Sequence, residues 1–156
     1  MYQMTPAAYI FTHVYMNTMQ QGIQSLHVVG ELFAKYGPET SEYSDLREWA
    51  QAHKVVRILS AGGTPEFFDH LGNAFALANT NNLPHASFLE PDNYDQVTAF
   101  GFVVTPDLCF EIEQERESRR YETGSLPLDS RAMVPIVNPL DDFPIIQFLK
   151  SFHTAR

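Results

Sequence analysis

The chain has little of what builds disulfide scaffolds, metal centres and phosphate loops. Its 156 residues include one cysteine, one tryptophan and 10 basic side chains against 19 acidic ones, a formal net charge of −9. A lone cysteine excludes a disulfide framework and any multi-cysteine zinc or iron–sulfur site. Cys109 sits in Leu108-Cys109-Phe110 beside acidic residues that raise a thiol pKa, so an inert thiol is expected. The six histidines, at 13, 27, 53, 70, 85 and 153, form no His-x-His or His-x3-His pair. Neither a metal nor any other cofactor is therefore expected. Ala61-Gly62-Gly63-Thr64 is too short for a glycine-rich phosphate loop, and there is no Gly-x-Ser-x-Gly elbow. No apolar run approaches the ~20 residues that cross a bilayer. The N-terminus lacks the basic-then-apolar profile of a signal peptide, so a soluble cytoplasmic protein without membrane contact is expected. The shortage of Lys and Arg argues against nonspecific nucleic-acid binding, which needs clustered cations to neutralise phosphates.

What is present suffices for a folded core, with 44% hydrophobic and 13% aromatic residues. Charge is uneven: residues 1–106 carry 4 basic and 10 acidic side chains, and residues 107–156 carry 6 and 9. The shift predicts a compact domain over 1–106. An appended segment over 107–156 follows, with a charged helix, a Pro-rich connection and a short apolar helix.

Hydropathy patterning gives the order β-α-α-β-α-β-β. Ala7 to Met16 is apolar on both faces and rich in β-branched and aromatic residues, the mark of a central strand. Met19, Ile23, Leu26, Gly30 and Phe33 then recur at helical spacing, with Gly22 and Gly30 allowing close approach to a sheet. Asn17 and Thr18 are both plausible caps, and Gly37-Pro38 ends the helix. A shorter helix is predicted over 41–52 and a strand over 54–60. Thr64-Pro65-Glu66 starts a helix whose stripe is Phe67, Phe68, Leu71, Phe75 and Ala78. Strands follow over 85–89 and 98–104, joined by a loop too short for a parallel crossover and hence antiparallel. The expected fold is α/β: a three-layer α-β-α arrangement around a four-stranded mixed sheet, plus a helical C-terminal extension. The apolar side of its last helix, with Phe143, Ile146, Phe148, Leu149 and Phe152, needs cover from this chain or from a second copy. A homodimer is expected on that basis.

Two segments are candidates for chemistry. Gln20, Gln24 and His27 share one helix face at the C-terminal edge of the central strand, where open α/β sheets bind ligands. The backbone N–H groups there suit an anion or a carbonyl oxygen. Helix capping with a half-buried histidine explains the same residues. The second segment is Phe88-Leu89-Glu90-Pro91-Asp92, two acids flanking a proline at a strand end. It also reads as an ordinary acidic turn.

Together and in this order, the two segments resemble the type II peptidyl-tRNA hydrolases, the archaeal and eukaryotic class, and small phage-encoded relatives of that fold. The family opens with an apolar strand and a helix beginning Gly-Lys-x-Ala-x-Gln-x-x-His-Ala. Met19-Gln20-Gln21-Gly22-Ile23-Gln24-Ser25-Leu26-His27-Val28 aligns with it without gaps. The family's Leu-Pro strand, Arg-Asp-Ala-Gly turn and Thr-x-x-Gly-Ile strand align with Leu83-Pro84, Leu89-Glu90-Pro91-Asp92 and Thr98-Ala99-Phe100-Gly101-Phe102. The likeness covers roughly residues 7–106.

The resemblance implies hydrolysis of the ester between peptide and tRNA. Glu90 would be general base or water orienter, Gln20 and Gln24 would position the carbonyl, and His27 and Thr98 would support the pocket with Asp92 nearby. Three positions depart from the family: its active-site lysine falls on Gln20, its catalytic aspartate on Glu90 and the preceding arginine on Leu89. Losing one electrostatic contribution of the lysine's kind costs ~10²–10³ in rate. The alternative expectation is therefore a modified or inactive phage-encoded member that binds a host protein in the host cytoplasm. Arg57 and Arg131 are the cations that could replace the lysine.

Overall fold

A computed structural model describes residues 4–93, 95–124 and 143–152. It is an α/β fold with a four-stranded mixed sheet and five helices. The strands are β1 (Ala7–Thr12), β2 (Val56–Ser60), β3 (His85–Glu90) and β4 (Gln96–Val104). The helices are α1 (Thr18–Lys35), α2 (Ser41–Glu48), α3 (Thr64–Thr80), α4 (Pro106–Gly124) and α5 (Pro144–Lys150). A π-helical turn over Trp49–His53 extends α2. Strand order is β2-β1-β4-β3: β1 runs parallel to β2 and antiparallel to β4, and β3 is antiparallel to β4.

All six β1 residues are buried, as its two apolar faces require. Side chains alternate across the sheet. Ala8 and Ile10 pack beneath Val28 and Leu32 of α1, Leu46 of α2 and Trp49. Tyr9 and Phe11 pack on the other side with Phe67, Ala74 and Ala78 of α3, Leu108 and Ile112 of α4, and α5. This second face is aromatic: Phe11 stacks on Phe100 at 4.9 Å, and Phe67 meets Phe100 edge-on at 5.1 Å. β1 and β4 approach closely at Gly101, where a Cβ would lie 2.6 Å from the Tyr9 carbonyl oxygen. By contrast, a Cβ on Gly22 or Gly30 meets nothing within 4 Å, so neither marks the close helix–sheet approach their spacing suggested.

Three further expectations change. The first strand ends at Thr12, not Met16, because the Val14 N–H turns to the Gly62 carbonyl (3.0 Å) and residues 13–17 form a loop. The outer face of α1 is reversed in its first turns. Gln21, Ser25, Val28 and Leu32 are buried, while Met19 is 77% and Leu26 73% exposed. The last helix needs no second copy to cover it: Ile145, Ile146 and Leu149 lie in the chain's own core, and Phe148 and Phe152 pack against Phe11 at 5.6 and 4.8 Å. The apolar surface behind the homodimer expectation is thus already covered. Among the described residues, no helix is long and apolar enough to cross a membrane.

Candidate functional site

The site forms where β1 ends. Asn17 caps α1 with a full capping box: its side chain accepts from the Gln20 N–H (2.9 Å), and its own N–H donates to Gln20 Oε1 (3.1 Å). Gln21 Nε2 donates to the Met16 carbonyl at 3.1 Å and Ser25 Oγ to the Gln21 carbonyl at 2.7 Å. These bonds explain why Gln21 and Ser25 can face inward here, since each of the two buried side chains has a partner. At the far end of α1, Lys35 Nζ and the Tyr36 hydroxyl bond the His85 carbonyl at 2.9 and 3.2 Å, fixing the helix against the start of β3.

Between these anchors, Gln24 bridges two strands. Its Nε2 donates to Glu90 Oε2 at 2.7 Å, and its Oε1 accepts from the Thr98 hydroxyl at 2.9 Å. The β3–β4 register slips between Phe88 and Leu89: Phe88 opposes Ala99 and Leu89 opposes Val97, leaving Thr98 as the extra residue. Such a bulge re-aims a side chain. Strict alternation would place Thr98 on the Phe100 side of the sheet, the side of α3. Its hydroxyl instead reaches Gln24 on α1.

Thr98 also borders a cleft of about 430 Å³, lined by His13, Tyr15, Met16, Gln20, Thr64, Phe68, Gln96, Val97 and Thr98. No Asp, Glu, Lys or Arg is in that lining. Gln20 Oε1 is held by the capping box, so its amino group is the end it offers to the cleft. The His13 ring stacks with those of Tyr15 and Phe67, with centroids at 5.1 and 5.0 Å and planes 28° apart in both pairs. Its Nε2 is 3.3 Å from Thr64 Oγ1, and its Nδ1 is buried without a partner among the described residues. Burial pushes the His13 pKa below the ordinary imidazole value.

The structure therefore joins Gln24, Glu90 and Thr98 directly and sets Gln20 in the adjoining cleft with Thr98. It does not gather the other two. His27 is exposed and stacks on Phe88 at 4.3 Å, and Asp92 is exposed in a one-turn 3₁₀ helix over Pro91–Asn93. Arg57 donates to Thr5 Oγ1 (3.2 Å), near the opposite end of β1 from the cleft, and Arg131 lies outside the described residues. Cys109 is half-buried, and burial followed by the Glu113 charge pushes its thiol up to about 11.

Sequence reasoning missed His13, Tyr15, Thr64, Phe68 and Gln96. His13 and Tyr15 were read into the strand. Thr64 is the first residue of α3, and the cap before it is Gly63 with no side-chain bond. The Val14–Gly62 contact that brings the two turns together has no signature in either segment. The fold and site define an α/β domain with a cleft of mixed polar and apolar lining, free of charged side chains, at the C-terminal end of its central strand. No protein-family model matches this sequence, and no curated protein matches it.

Proposed function

We propose that the chain is an ester hydrolase similar to the type II peptidyl-tRNA hydrolases, built on their three-layer fold and cleaving the bond between peptide and tRNA. One observation carries the reading. Gln24, Glu90 and Thr98, each at a position aligned with a motif of that family, form a continuous hydrogen-bonded chain across α1, β3 and β4. The chemistry follows from its direction. Glu90 holds the Gln24 amino group, so Gln24 Oε1 must accept the Thr98 proton. Thr98 then turns its lone pairs towards the cleft, where they accept from a water or a substrate amide. The Gln20 amino group donates to the scissile carbonyl as negative charge develops on it. A neutral donor in place of a cation makes the enzyme slow, and 4 basic residues in the first 106 make its hold on tRNA weak and salt-sensitive.

The test is release of tRNA from N-acetyl-aminoacyl-tRNA. Wild type is expected to turn over. Glu90→Ala frees the Gln24 amide to rotate and is expected to lose about 10²-fold, the usual effect of a misplaced positioning group. Wild-type release equal to the Glu90→Ala variant and to buffer would overturn the reading.

A second reading draws on the exposed apolar side chains Tyr15, Met19 and Leu26, at 80%, 77% and 73%. In it the chain is a phage-encoded, non-catalytic member that binds a host protein. The contact would use the start of α1 rather than the last helix, whose apolar side is already covered. Met19→Lys with Leu26→Lys should then abolish binding without lowering the melting temperature. Unchanged binding would remove this reading.

A further inference from the structure

We propose that the outer face of α1 is an interface between two copies of this chain, packed as an antiparallel helix pair, whether or not the cleft hydrolyses an ester. Met19, Ile23, Leu26, Gly30 and Ala34 recur at helical spacing along α1, and all five are exposed. The solvent face of a surface helix ordinarily carries charged and polar side chains. Here the first 30 residues contain no Asp, Glu, Lys or Arg, although the whole chain has a net charge of −9. Contiguous exposed apolar surface of this kind marks a contact site.

Three features select a second copy as the occupant. The first is charge. Two strongly acidic chains repel, and the uncharged start of α1 is a surface on which they can meet without opposing like charges. A charged partner finds no counter-charge there. The second is shape. The stripe is bulky in its first half, with Met19 and Ile23, and small in its second, with Gly30 and Ala34. A Cβ on Gly30 would meet nothing within 4 Å, so the surface over it is open. The third is symmetry. A two-fold interface brings residue i onto j and j onto i. With the axis between Leu26 and His27, Ile23 enters the gap over the partner's Gly30, and Met19 lies on the partner's Ala34. Leu26 then packs beside the partner's Leu26 at the axis. Each bulky end falls on a small one, and the same fit occurs twice. A parallel pair would set Ile23 on the partner's Ile23 and leave gap against gap at Gly30. Antiparallel packing also sets the start of each helix beside the end of the other, the favourable arrangement of their dipoles.

The second reading above gives this face to a host protein, which would have to match the same gradient from bulky to small. A second copy matches it by construction. One helix face supplies less than the ~800 Å² per partner of a standard interface, so the pair is weak and forms above ~10 µM. In more dilute solution the chain is a monomer, and the interface adds nothing to its stability.

The experiment is sedimentation of the full chain from about 5 to about 500 µM, a range that spans a weak interface of this size, with a disulfide trap for the register. The mass is expected to rise from that of one chain towards that of two. Met19→Lys with Leu26→Lys should stay monomeric throughout, and so should Gly30→Leu, which fills the gap. These positions are open to solvent, so neither variant should melt below the wild type in dilute solution. In a Cys109→Ser background, Ile23→Cys mixed with Gly30→Cys should form a disulfide-linked pair, and neither should link to itself. A chain that stays monomeric across the range overturns the proposal and leaves the face to a host protein. A dimer that survives both variants overturns it too, as does one in which Ile23→Cys links to itself or the mixture fails to link.

Discussion

The two crossover helices, α1 after β1 and α3 after β2, are both amphipathic, yet they are docked by different forces. α3 turns Phe67, Ala74 and Ala78 into the aromatic face of the sheet and is held there by apolar burial. α1 does the same only in its second half, through Val28 and Leu32. Its first two turns bury Gln21 and Ser25 and leave Met19, Ile23 and Leu26 in solvent. Hydrogen bonds from Asn17, Gln21 and Gln24 hold this part in place. A helix that opens onto a polar site is thus specified by directional bonds, whereas one that covers a core is specified by area.

The largest expected effect breaks the α3 side of the contrast. Phe67→Ala removes a fully buried ring that touches His13, Phe68 and Phe100, and should cost about 3–5 kcal/mol in urea unfolding. Met19→Ala should stay within about 0.5 kcal/mol. Equal losses at the two positions would mean that the start of α1 is docked like α3. Gln21→Ala comes next. It leaves the Met16 carbonyl without its donor, and should cost about 1–3 kcal/mol. Asn17→Ala removes the capping bond and should cost ~1 kcal/mol, seen as a lower melting temperature.

The smallest effect is on pH dependence. Burial lowers the pKa of both His13 on the α3 side and His85 at the start of β3, so the unfolded chain binds their protons more readily. Their contribution to stability is complete above the ordinary imidazole pKa of about 6.5 and is lost as pH falls through the lower folded values. Asp45 works in the opposite sense. Its pKa is raised by burial, with Asp107, Glu48 and Glu42 adding to it, so the native state holds that proton better at lower pH. His13→Gln should flatten the fall in melting temperature from pH 7 to pH 5. An unchanged slope would place the titration on His85.

Much of the framework was legible in the sequence. The two-faced apolar run of β1, a helix start at Asn17 or Thr18 and the short loop before β4 each rest on local physics, and the element order and mixed sheet follow from them. What was not legible depends on partners far along the chain. Helical spacing marks a stripe without saying which way it faces, so Met19 and Leu26 looked like core. An apolar run does not show where its pairing stops, so His13 was hidden in the strand. The extra residue at Thr98 exists only relative to β3, and without it the aligned positions do not imply a bonded chain.

The pairing of Ala7 with Val104 also carries a consequence for synthesis. β1 leaves the ribosome before its neighbour β4, which follows almost a hundred residues later. At typical translation rates that interval is on the order of 5–20 s. Throughout it Ala-Ala-Tyr-Ile-Phe-Thr, an uncharged stretch with four strong β-formers in a row, has no native β4 mate. A strand wholly enclosed in the finished fold is therefore, while the chain is being made, a sticky exposed segment.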